Sequence, residues 1–175
     1  LDFTPAPEGD YTLRVLEISP WKATKPQNIK VIQRDESGKA IKDEKGNNVT
    51  VVEENVVVYN ANVTLEIVGG EHEGKRVFHN LTTHPNMPFS IPSFLYGLGI
   101  KSMAASEIPE KCKGKLCYAK VYVDSYEKTI QNKETGLDEI QKREVNKVKH
   151  FKQLPEDLAK NNIPTNSNIE AVEGI

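Results

Sequence analysis

Val57-Val58-Tyr59-Asn60-Ala61-Asn62-Val63-Thr64-Leu65-Glu66-Ile67-Val68 alternates without a break. Val57, Tyr59, Ala61, Val63, Leu65 and Ile67 fall on one side, and Asn60, Asn62, Thr64 and Glu66 on the other. Side chains of a strand point alternately to opposite faces, so this period of two predicts a β-strand over about 55–68 with one face in a core.

The neighbouring segments follow from it. Gly69, Gly70 and Gly74 mark a tight turn into a third strand, about 75–82. Upstream, Tyr11, Leu13 and Val15 alternate with Thr12 and Arg14, and the apolar parity then shifts to Leu16 and Ile18. That shift predicts a β-bulge within a first strand running from Asp10 to about Ala23. Residues 25–54 are strongly polar. Ile29 to Ile32, turns at Ser37-Gly38 and Gly46-Asn47, and Val49 to Val52 predict a projecting β-hairpin inserted there. Ile91, Leu95 and Leu98 lie at helical spacing after Ser90, a candidate N-cap, and Pro92 suits the first turn. A second helical turn is expected within 102–107. A fourth strand covers 115 to about 126, a charged loop runs through Gly136, and a fifth strand covers roughly 140–154, ended by Pro155.

The order β-β-β-α-β-β, with a single short helix after the third strand, predicts a mainly β fold, the five-stranded Greek-key barrel of the OB type. Residues 1–154 form that domain, with 25–54 as its insertion, and 155–175 read as a flexible, mildly acidic tail.

Composition narrows the function. The 175 residues carry a formal net charge of -2, so any affinity for a polyanion must come from a local patch. Cys112 and Cys117 read as free thiols in a reducing cytoplasm, with Cys117 in the core. No run approaches the roughly 20 apolar residues of a membrane span, and no signal-peptide pattern opens the chain. Asn48, Asn62 and Asn80 each begin an Asn-x-Thr triplet, which reads as chance without a secretory signal.

The fourth strand is the most informative chemically. Cys117, Ala119, Val121 and Val123 make a small apolar face, while Tyr118, Lys120, Tyr122 and Tyr126 make the other, with Asp124 among them. Aromatic rings offer a surface for unpaired bases and an ammonium group pairs with phosphate, which is the chemistry of single-stranded nucleic acid. The fifth strand adds Lys142, Arg143, Lys147, Lys149 and Lys152, beside His150 and Phe151. Trp21, next to Lys22, is either a stacking platform or a lid on the barrel end. On the third strand Arg76, Phe78 and Asn80 share a face, with Phe78 read as a core residue. The candidate binding set is therefore Trp21, Lys22, Arg76, Lys120, Tyr122, Tyr126, Arg143, Lys147, Lys149 and Phe151.

Other motifs fail on chemistry. Gly69 to Lys75 has the GxxxxGK spacing, but Arg76 follows where Ser or Thr is required, two glutamates occupy the loop, and it joins two strands. His72, His79, His84, Cys112 and Cys117 lack the paired spacing of structural zinc. No nucleophile and base can be named. The expectation is a protein with no enzymatic activity, no metal and no cofactor.

Several segments resemble a family of small phage-encoded proteins found among recombination and replication genes. They are Pro7-Glu8-Gly9-Asp10-Tyr11, Asn62 to Val68, Gly70 to Leu81, Gly97-Leu98-Gly99, and Val145 to Lys152. The resemblance implies an OB-fold that binds single-stranded DNA in the cytoplasm of a bacterial host. The 25–54 insertion and the modest charge depart from it. Glu156, Asp157, Glu170 and Glu173 in the tail imply, by analogy, recruitment of replication or recombination proteins. The alternative is an assembly module of a phage that docks or homodimerises through the 25–54 hairpin.

Overall fold

A computed structural model describes residues 4–159. Strand β1 (Gly9–Ile18) is followed by the short β2 (Lys22–Ala23), then β3 (Gln27–Ile32), β4 (Thr50–Val56), β5 (Tyr59–Ile67) and β6 (Arg76–Thr82). Helix α1 (Ser90–Gly97), a 3-10 turn (Ala105–Glu107) and α2 (Ile108–Lys111) lead to β7 (Leu116–Gln131), β8 (Asp138–Lys152) and a last turn, α3 (Glu156–Ala159). No helix among the described residues is long and apolar enough to cross a membrane.

Strand β1 pairs with β5 on one side and β7 on the other, so β1, β5, β6, β8 and β7 close into a five-stranded barrel. Every junction is antiparallel except β6 with β8. With the helix between its third and fourth strands, this is the OB topology expected from the sequence.

Alternation fills the interior. Leu13 and Val15, then Ala61, Val63, Leu65 and Ile67, then Val77 and Leu81, and Cys117, Ala119 and Val121 are all buried. Phe94 and Leu95 of α1 and Leu98 just after it pack into the same core. Gly97 makes the approach possible: a Cβ there would lie 2.6 Å from the Phe151 ring. Both thiols are free and buried, and desolvation pushes Cys112 up to about 11 and Cys117 to about 12. Thiols held protonated in this way are poor nucleophiles.

The register of β1 against β5 shifts between Val15 and Glu17, so Leu16 is the bulged residue and Ile18 returns to the interior. Strand β1 stops at Ile18, short of the expected end at 23. Ser19 instead exchanges two bonds with the Asn62 backbone, and β2 pairs again with β5. The expected second strand is likewise two. Asn55 takes a positive φ of 57°, and Val58 belongs to a small separate cluster with Ile29 and Val31. Val57 and Tyr59, expected inside, are exposed. Ser90 does not cap α1. Its Oγ accepts from the Thr82 backbone N–H at 3.0 Å, fastening the helix to the end of β6.

Two further segments differ from expectation. Residues 127–136 were expected as loop, yet β7 and β8 continue as a paired ribbon to Gln131 and Asp138. The insertion is a β3–β4 hairpin as expected, but it is tied down as well as projecting. The Asn86 side chain accepts from the Ile32 N–H and donates to the Lys30 carbonyl, both at 2.8 Å, as a neighbouring strand would. Its far end holds two turns in which Asp35 and Asp43 each accept from backbone N–H groups two and four residues on.

Candidate nucleic-acid interface

Inward alternation on a closed barrel fixes what points outward. With Cys117, Ala119 and Val121 inside, Tyr118, Lys120, Tyr122 and Tyr126 lie on the outer face of β7. Paired residues on neighbouring strands share a face. Thr64 pairs with Phe78, Phe78 with Lys147, and Lys147 with Tyr122, making one transverse row across β5, β6, β8 and β7. Toward one end of the row, Glu66 pairs with Arg76 and Tyr126 with Arg143. Three rings and three cations thus gather on one surface.

Phe78 stands at its centre, 40% exposed, and Tyr126 is 47% exposed. A cavity of about 560 Å³ lies on one side of Phe78, lined by Asn62, Thr64, Asn80, Tyr122 and Lys147. Another of about 500 Å³ lies on the other side, lined by Lys75, Arg76, Tyr126 and Arg143. Both fall within the usual range for ligand sites.

Two of these three cations already have acidic neighbours. Lys147 Nζ lies 2.8 Å from Asp124, and that hydrogen bond raises the lysine pKa. Arg76 lies 3.3 Å from Glu66; further along the barrel, Lys120 lies 3.7 Å from Glu8 and Lys152 2.7 Å from Asp10. Arg143 donates to the neutral Gln141 at 2.9 Å. Asp10 lies at the start of β1, and Glu8 in the N-terminal arm before it, which Asn146 holds. That buried amide accepts from the Ala6 N–H at 2.8 Å and donates to the Ala6 carbonyl at 2.9 Å.

Of the residues expected at the site, Arg76, Tyr122, Tyr126, Arg143 and Lys147 come together on this surface. Lys120 lies further along β7, beside the arm. Lys149 is the extra residue of a bulge in β8, exposed next to the His150–Lys120 pair. The other three are elsewhere. Phe151 is only 8% exposed and faces the core, where its ring meets Phe94 edge-on at 5.5 Å and His79 at 4.9 Å. The same bulge turns it inward. Trp21 packs against the core and donates from Nε1 to the Ala105 carbonyl at 2.8 Å, as a lid does. Lys22 is exposed but pairs with Asn60, four residues along β5 from Thr64. Phe78 is the correction in the other direction. Read as core, it is outside, and the signal was its shared parity with Arg76 and Asn80. Glu170 and Glu173 of the expected tail site lie outside the described residues. No family model matches this chain, and no curated protein or solved structure matches it either.

Proposed function

We propose that this barrel binds single-stranded DNA on the outer face of β5, β6, β8 and β7, without catalysing a reaction on it. One observation carries the reading: Phe78, Tyr122 and Tyr126 stand on one surface with Lys147, Arg143 and Arg76 in register between them. Rings take the flat faces of unpaired bases at about 1–3 kcal/mol each, and the cations take the phosphates. The surface includes the second and third strands of the barrel, where OB-folds bind oligonucleotides, and the β3–β4 insertion and β7–β8 ribbon occupy their two loop positions. A role in phage replication or recombination, in a bacterial cytoplasm, agrees with the sequence resemblance.

Changing Tyr122 and Tyr126 together to Ala is expected to weaken binding of a fluorescent oligonucleotide at least tenfold in anisotropy, with the melting temperature held. Wild-type affinity should fall as salt rises. Unchanged affinity in the double variant would remove the tyrosines from the interface.

A second reading rests on β4. Among the described residues it pairs only with β3, and Val51 and Val52 are 50% and 54% exposed. Such an edge can pair with a second chain. If it joins two copies, replacing both valines with lysine converts a dimer to a monomer in light scattering.

A further inference from the structure

We infer that the cavity between Phe78 and Tyr122 reads the edge of one nucleobase, so that binding has a base preference. The inference rests on the single-stranded-DNA reading and deepens it. Stacking and phosphate contacts alone are indifferent to sequence, because every base has a π-face and every nucleotide a phosphate. Asn62 and Asn80 add a different chemistry at the same place. They sit opposite each other on β5 and β6, in the pair next to Thr64 and Phe78 on the outer face.

Their geometry is fixed before any ligand arrives. Asn80 Nδ2 donates to Asn62 Oδ1 at 3.0 Å and to the Ala61 carbonyl at 3.4 Å. The carbonyl accepts only, so this second bond sets which end of the Asn80 amide is nitrogen. The order leaves Asn62 Nδ2 as a donor and Asn80 Oδ1 as an acceptor. Neither makes a bond to another side chain or backbone group among the described residues. A donor and an acceptor at the wall of a cavity with aromatic rings beside it match the edge of a base stacked there. Lys147, also lining the cavity, lies within the same row for the adjoining phosphate.

A base that satisfies both amides gains over one that leaves either unpaired, since a polar group desolvated without a partner opposes binding. The site therefore discriminates by refusal as much as by attraction. The pair of Asn residues serves specificity, and the rings beside it serve affinity.

The test compares short dT, dC and dA oligomers on the intact protein, by anisotropy at one salt concentration. Wild type is expected to favour one base over the poorest by about fivefold or more, the low end of a bidentate base contact. Asn80→Leu, and separately Asn62→Leu, should bring the three affinities to within twofold, with the loss falling on the preferred base. Circular dichroism would verify that each variant stays folded. Equal affinities in wild type, or ratios left unchanged by both variants, would overturn the base-reading site while leaving DNA binding intact. If no oligomer binds at any salt concentration, the DNA reading fails together with this inference.

Discussion

Phe78 and Phe151 sit on neighbouring, parallel strands of the same barrel, and they do opposite things. Phe151 is enclosed by Phe94, His79 and the bare backbone of Gly97, in a space so close that a methyl group would not fit. Phe78 stands in the open between two cavities, with Lys147 in register beside it. One ring is surrounded by atoms already in place, and removing it leaves a void. The other is surrounded by room, and removing it leaves a flatter surface. Side-chain type is the same, so position alone separates a residue that fills the core from one left open to solvent.

The comparison is tested most severely by truncation. Phe151→Ala should cost about 3–5 kcal/mol in chemical denaturation, the usual loss for a buried aromatic. Acid gives the next largest effect on the same inner region. His79 faces Phe151, its Nε2 is buried without a partner among the described residues, and burial lowers its pKa from 6.5 to about 4. The fold holds the neutral ring, so its stability is fully present above pH 6.5 and falls as the pH drops toward 4. At 1.36 kcal/mol for each pH unit, the fall attributable to this ring is about 3 kcal/mol. His79→Leu should remove that share of the acid sensitivity, measured as the difference in denaturation midpoints between pH 7 and pH 4.5.

Outside, Phe78→Ala should leave stability within about 0.5 kcal/mol, as exposed substitutions generally do. It should weaken oligonucleotide binding by about 1–3 kcal/mol, the worth of one stacked base. If both phenylalanine variants proved equally destabilising, the two environments would not differ as described. Trp21→Phe sharpens the contrast at the barrel end: the lost bond to Ala105 should cost about 1 kcal/mol of stability with affinity unchanged. The smallest effect belongs to Asp124→Asn, which frees Lys147 and should strengthen binding about twofold in the same anisotropy titration.

These two rings also mark where the sequence was legible. Arg76, Phe78 and Asn80 alternate with Val77, His79 and Leu81, so period two alone placed Phe78 outside, and the general apolar habit of phenylalanine pulled the reading inward. Lys147, Lys149 and Phe151 share a parity in the sequence, but the extra residue at Lys149 breaks it, and nothing local announces that bulge. The bulge in β1 was legible because apolar residues flank it on both sides. The 127–136 ribbon was not, since no core takes either face and no alternation is imposed. Order of elements, barrel closure and the outward tyrosines came from long alternating runs. The Asn86 tie and the arm latched by Asn146 depend on residues 54 and 140 positions apart, a distance no periodicity reports.

If DNA binds as proposed, Glu66 and Asp124 act as resident counterions on the surface around Phe78. When a phosphate takes the ammonium of Lys147, the displaced carboxylate can recapture the sodium ion that the DNA gives up. Fewer ions then enter the bulk than contacts are made, whereas an unpaired lysine would release about 0.7 per phosphate of a single strand. On the proposed reading, the slope of affinity against salt would therefore undercount the phosphates in contact, and a footprint from chemical protection would be longer than one inferred from ionic strength.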